Sequence, residues 1–320
     1  MRAEPPPTGD HPAEFRAIWE DKQPSRRNRL EKAEAAVLDR YSDFVLAADK
    51  LELEQLPWLK WTAAAKDALR HCYDGRTKAL SALKKSFVDG LSEEARLRCP
   101  YCMMRQPGSI DHFLPLDSHP EFAVLTLNWV YACETCNRRK GEGLASVQTR
   151  DGTVLVGIHR SILNPYFDRI PIDIPILYAD VAIVGAAPIV AFFALCPNSE
   201  LPDPTLAEIA ERQLAELDLA GKMRDEGANL LSSTIGTIVA EASGALSQDE
   251  LTDRLQARRR NVGRFGINGW ELALMEAAEA CPDLLAHVNG LIATKPPPAP
   301  LPPPRNSRLR QRAAEAAVSR

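Results

Sequence analysis

A chain of 320 residues with 45% hydrophobic and 26% charged residues has the material for a sizeable core in one to three domains. Its net charge of -4 excludes a general polycation, so any attraction to nucleic acid has to come from a local basic patch. The longest apolar stretch, residues 181–196, is interrupted by Gly185 and Pro188 and is too short to cross a bilayer. The opening MRAEPPPTGDHPAEF has no apolar run of the kind an export signal needs. These features point to a cytoplasmic protein with no membrane partner.

Taken in chain order, residues 1–25 are Pro-rich and polar and read as a disordered lead. Residues 26–98 read as a helical region. Leu30, Ala33, Val37, Tyr41 and Phe44 recur at three and four, and after Pro57 the residues Trp58, Trp61, Ala65, Leu69 and Cys72 repeat the pattern. Residues 99–150 are rich in turn formers and carry the chemistry. Residues 151–295 change from β to α. TVLVGI, IDIPILY, VAIV and PIVAFFAL are short β-branched runs, with two buried strands meeting near Gly185 and Pro188. Helical patterns follow over 205–219, 230–245, 248–260 and 267–289. Residues 296–320 read as a disordered Pro-rich, basic tail.

Of seven cysteines, four fall in two CxxC pairs, Cys99/Cys102 and Cys133/Cys136. Each such turn places two sulfurs on one side of a tight loop, and two turns complete a tetrahedral four-sulfur site suited to structural Zn²⁺. A redox CxxC wants a single pair and fits two poorly. With four thiolates bound, that zinc has no open position and serves to hold the ends of the insert together. Cys72, Cys196 and Cys281 read as small buried hydrophobes.

Inside the staple stands GSIDHFLP, with Asp111 and His112, then LNW, with Asn128, and CNRRKG, with Asn137, Arg138, Arg139 and Lys140. An imidazole can take a proton from water near neutral pH, oxygen donors suit a hard cation, and the basic run can hold a phosphate. The arrangement therefore has the parts of a phosphodiester hydrolase. His119, in the loop after Pro115, reads as a surface residue. Arg258, Arg259, Arg260 and Arg264 read equally as a nucleic-acid surface or as an exposed helix end. His159, Tyr166 and Phe167 read as packing.

These elements, CPYC, SIDHFLP, LNWVYACETCNRRKG, resemble the HNH (ββα-metal, or His-Me finger) endonucleases in their four-cysteine form. That family also holds phage Holliday-junction resolvases and restriction enzymes. The resemblance covers about 45 residues, 99–141 and their flanks. It implies that Asp111 and Asn137 ligate a catalytic Mg²⁺ or Mn²⁺, that His112 is the general base, and that Asn128 pins the hairpin, an HNN variant. It implies an α+β fold: a ββα-metal module stapled by a four-cysteine zinc site, a helical N-terminal region, and a mixed β then helical C-terminal region. PEFAVLTLNWVYAC and NPYFD also resemble bacterial HNH proteins met near defence genes, which points to restriction or anti-phage defence. The function expected is endonucleolytic cleavage of nucleic acid, DNA in preference to RNA. The alternatives are an effector silent on its own until a partner or ligand activates it, with an activating protein partner or a homodimer as candidates, and a non-catalytic zinc module that binds nucleic acid or protein.

Overall fold

The computed structural model describes residues 1–141, 149–150, 153–154, 160–185, 187–194, 203 and 205–296. Within them the chain is α+β and mostly helical, with three two-stranded antiparallel sheets.

Four of the five N-terminal helices, all but α2, begin where a side chain takes up an orphaned amide. α1 (His11–Glu20) starts at Asp10, whose carboxylate accepts from the Ala13 amide. α2 (Pro24–Asp49) turns Leu30, Ala33, Val37, Tyr41 and Phe44 inward, the stripe that the spacing predicts. α3 (Ala63–Asp74), α4 (Lys78–Asp89) and α5 (Glu93–Leu97) are capped by the hydroxyls of Thr62, Thr77 and Ser92.

Two expectations here are corrected. Residues 1–25 are not a disordered lead, because α1 buries Phe15, Ile18 and Trp19 against the helices that follow. Three large apolar side chains on one face, each contributing roughly 2 kcal/mol on burial, outweigh a polar average composition. Trp58 and Trp61 stand before α3 rather than on its stripe. Trp58 is exposed, and Trp61 donates its indole N–H to Glu121.

β1 (Ser109–His112) and β2 (Trp129–Ala132) pair antiparallel, with Ser109 opposite Ala132 and His112 opposite Trp129. α6 (Glu134–Lys140) follows directly and packs on β1, so the segment is a ββα unit. Trp129 is fully buried, 5.4 Å from the Phe87 ring and 5.6 Å from the Tyr73 ring. One core thus runs from the N-terminal helices into the ββα unit.

β3 (Thr149–Arg150) and β4 (Thr153–Val154) form a short pair. β5 (Leu177–Val184) and β6 (Ala187–Ala194) form a hairpin whose turn uses Gly185 at φ +65°, a conformation glycine adopts without a Cβ clash. The pairing expected near Gly185 is present, but only one face is covered. Leu177, Val181, Val190 and Phe192 are buried, whereas Val184 and Ile189 are exposed. IDIPILY enters the strand only at Leu177, and Ile172 is 84% exposed.

The C-terminal part comprises α7 (Thr205–Glu216), α8 (Leu219–Glu241), α9 (Gln248–Gly263), α10 (Trp270–Ala280) and α11 (Leu284–Ala293). The hairpin packs on α8 and α10. α8 is one helix that begins well before residue 230. The pattern over 267–289 is split in two, because Pro282 cannot continue a helix and restricts Cys281 before it. The basic tail from 297, His159 and Cys196 lie outside the described residues.

Candidate functional site

The four cysteines of the two CxxC pairs converge. Their sulfurs all lie within 4.8 Å of one another, and all four residues are buried. Sγ of Cys102 and Cys133 stand 4.0 Å apart, close to the edge of about 3.8 Å that Zn–S bonds of 2.3 Å give a tetrahedron. The first turn is closed by Met103 N–H to Cys99 O, and the Met104 amide donates to Cys102 Sγ at 3.4 Å. In the second, Cys133 caps α6 and accepts from the Cys136 amide at 3.5 Å. Amides aimed at sulfur favour thiolate. Burial pushes the Cys99 thiol up, while hydrogen bonds from neighbouring thiols, Cys102 first, hold Cys133 far below the usual range. This four-sulfur set could hold a metal ion such as zinc.

Asp111 and His112 stand side by side at the end of β1 and are both buried. His112 Nε2 is 2.8 Å from the carbonyl oxygen of Ala123, which leaves Nδ1 as the nitrogen that bond does not engage. Its ring meets Tyr73 edge-on at 4.4 Å, and Lys84 Nζ lies 3.6 Å over the other ring. Burial first, then the ammonium groups of Lys140 and Lys84, push the imidazole down to about 3. His112 is therefore neutral at physiological pH.

Both oxygens of Asp111 are engaged. Tyr101 donates its hydroxyl to Oδ2 at 2.7 Å, and Lys140 Nζ lies 3.2 Å from Oδ1. Burial pushes this carboxyl above its ordinary value, against the pull of Lys140. Asn128 is fully buried. Its Oδ1 accepts from Leu114 N–H at 2.7 Å and its Nδ2 donates to Leu114 O at 3.0 Å, pinning the loop after β1 to the start of β2. Asn137, on α6, turns its Nδ2 towards Ser109 Oγ and Ile110 O, at 3.2 and 3.4 Å. Among the described residues no hydrogen bond is made by its Oδ1, and Ile110, whose carbonyl Nδ2 meets, directly precedes Asp111 on β1. A carboxylate and a carboxamide oxygen are a hard donor set that suits Mg²⁺ or Mn²⁺.

The basic run does not present three cations on one surface. Arg138 is exposed and has no ion pair among the described residues. Arg139 Nη2 pairs with Asp218 at 3.0 Å, and its Nη1 donates to Leu217 O, tying α6 to the junction of α7 and α8. Lys140 is 2% exposed and points inward. Of the three, Arg138 is the cation without an ion pair among the described residues, so the run does not form a shared three-cation surface.

Further side chains that the sequence reading passed over support the site. Tyr101, between the first two cysteines, joins the cluster to Asp111, and its own carbonyl accepts from Gln213 of α7 at 2.8 Å. The CPYC string names a knuckle, but nothing in it marks the tyrosine hydroxyl as a partner of Asp111. The reading of His119 as a surface residue is corrected. It is 2% exposed, stacked on Phe122, with Nδ1 3.6 Å from the buried Glu121. Glu121 also accepts from Arg40 and Trp61, so the loop between β1 and β2 hangs on α2 through a buried charge network. Tyr166 donates to Trp129 O at 2.7 Å, which makes it more than packing. In the basic helix end, Arg259 pairs with Glu276 and Glu279, while Arg258, Arg260 and Arg264 are exposed.

A protein of Escherichia phage lambda, protein ea31, is 27% identical over 173 residues, 52% of this chain and 53% of the phage protein. The chain thus spans about half the length of that relative. No protein-family model and no solved structure matches.

Proposed function

We propose that the protein is a metal-dependent endonuclease of the HNH type that hydrolyses phosphodiester bonds of nucleic acid, DNA in preference to RNA. The observation that carries the reading is a ββα unit with Asp111 and His112 on its first strand, Asn137 on its helix and Asn128 locking its loop, next to four converging cysteines. Structural Zn²⁺ in that cluster would fix the ends of the unit without touching substrate.

Asp111 and the Oδ1 of Asn137 are the residues that would hold Mg²⁺ or Mn²⁺. That cation, when bound, supplies charge stabilisation at the scissile phosphate and the leaving oxygen. His112 is held by Ala123 O so that Nδ1 faces away from that bond. Nδ1 takes a proton from the water whose oxygen attacks phosphorus, as the P–O bond to the 3′ oxygen breaks. Arg138, exposed on α6, would contact a backbone phosphate. One base cuts one strand, so a double-strand break needs a second copy or a second event.

The closed state of the site favours an activated form of this enzyme. His112 is buried under Tyr73, and Asp111 is saturated by Tyr101 and Lys140, so a partner protein, a second copy or the nucleic acid itself has to open access. A role in restriction or anti-phage defence agrees with such control.

Incubation of supercoiled plasmid with the zinc-loaded protein tests the reading. Nicked or linear product is expected with Mg²⁺ or Mn²⁺ and none with EDTA. Cleavage that is indifferent to EDTA, or none on plasmid, single-stranded DNA and RNA alike, would overturn it.

A further inference from the structure

Lys140 is the last residue of α6, and the chain leaves it through Gly141 at φ +54° and ψ -146°, a conformation that L side chains rarely adopt. Its side chain is 1% exposed, beside a 4% exposed Asp111. Burying an ammonium costs heavily unless oxygen atoms surround it. Here Nζ lies 3.2 Å from Asp111 Oδ1 and 2.8 Å from the His112 carbonyl oxygen. It therefore sits on a carboxylate oxygen and a main-chain carbonyl oxygen, two ligands of the kind a hard cation selects. One buried carboxylate cannot give its full charge to an ammonium and to a divalent ion together.

We infer that Lys140 is the resident cation of the site: its ammonium occupies the Asp111 oxygen that a divalent metal needs, and metal enters only as that ion pair opens. The inference rests on the reading of Asp111 as a divalent-cation ligand. Lys140 is thus a positioning residue. It holds the buried carboxylate in place while metal is absent, and it sets the metal affinity low, so that binding of the cation is coupled to movement at the end of α6. Tyr101 stays on the opposite oxygen and keeps the carboxylate plane fixed.

The test is Mn²⁺ binding to the zinc-loaded protein, read by electron paramagnetic resonance, for the wild type, K140Q, D111N and the double variant. Gln keeps a donor for the His112 carbonyl and removes the charge. K140Q is expected to bind Mn²⁺ at least tenfold tighter than the wild type, and D111N to abolish binding in either background. Equal or weaker binding by a K140Q protein that retains its zinc overturns the inference and leaves the metal site standing. A wild type and K140Q that bind Mn²⁺ no better than their D111N counterparts overturn the metal-site reading itself.

A second measurement needs no variant, should K140Q fail to fold. Reductive methylation of wild-type lysines, read by peptide mass spectrometry, is expected to spare Lys140 without divalent metal and to label it several-fold faster at saturating Mn²⁺. Protection of Lys140 that is unchanged at full Mn²⁺ occupancy overturns the inference.

Discussion

Asn128 shows how much of the site a single residue fixes. Its carboxamide satisfies both backbone groups of Leu114 in a fully buried position. Asn128→Ala strands a buried N–H and a buried C=O, and is expected to cost about 2–4 kcal/mol in urea unfolding with zinc content unchanged. A loss under about 0.5 kcal/mol would mean the loop is held by something else. A second residue carries a pH signature away from the metal ligands. Burial pushes the Asp168 carboxyl up to about 6 from its ordinary 3.8, even though Arg160 stands 2.7 Å away. The folded state then holds that proton more tightly than the unfolded chain. The stabilisation is complete below about pH 3.8 and is lost as pH rises through about 6, an effect of about 3 kcal/mol. Unfolding of Asp168→Asn compared with the wild type between pH 4 and 7 should show the wild type losing ground by that amount. Parallel curves would place the carboxylate at its ordinary value. At this scale the sequence is readable where function is local. Asp111 and His112 stand out as a polar pair between the two cysteine pairs, and Asn128 stands out through the resemblance to the HNH family. Lys140 and Tyr101 do not, because what assigns their roles is a partner 29 positions away for Lys140 and 10 for Tyr101, and side-chain direction is set by the fold.

Among the elements, α2 is legible by its apolar period alone, and α3, α4 and α9 by capping residues as well, down to the reciprocal Ser247–Glu250 box. α1 was hidden by composition: three prolines and several charges flank a helix whose apolar face is only Phe15, Ile18 and Trp19. The break at Pro282 was masked by an amphipathic period that continues on both sides of it. A metal held by the four cysteines would support the ββα unit beyond packing, since β1, β2 and α6 are short and a two-stranded sheet is marginal alone. Cys136→Ser should therefore release the metal and lower the thermal midpoint by on the order of 10 °C. Metal analysis alongside calorimetry checks it; an unchanged midpoint with zinc lost would show that the staple is dispensable.

Across the whole molecule, the ββα unit is embedded rather than appended. Arg40 and Trp61 reach its loop through Glu121, Gln213 reaches the first cysteine knuckle, and Arg139 reaches Asp218. None of these ties is visible in a motif, which is why a reading by segments separated parts that share one core. They also bury Asp111 and His112. With His112 pushed down to about 3 by burial, the proposed base would be weak until water and a phosphate entered, since a base works best with a pKa near the operating pH. Every part of the account therefore converges on His112. The most direct test compares the rate of plasmid nicking in Mn²⁺ by the wild type and by His112→Ala, both shown to carry one zinc per chain. The account predicts a loss of at least about 100-fold in the variant. A zinc-loaded His112→Ala protein that nicks at the wild-type rate would contradict it.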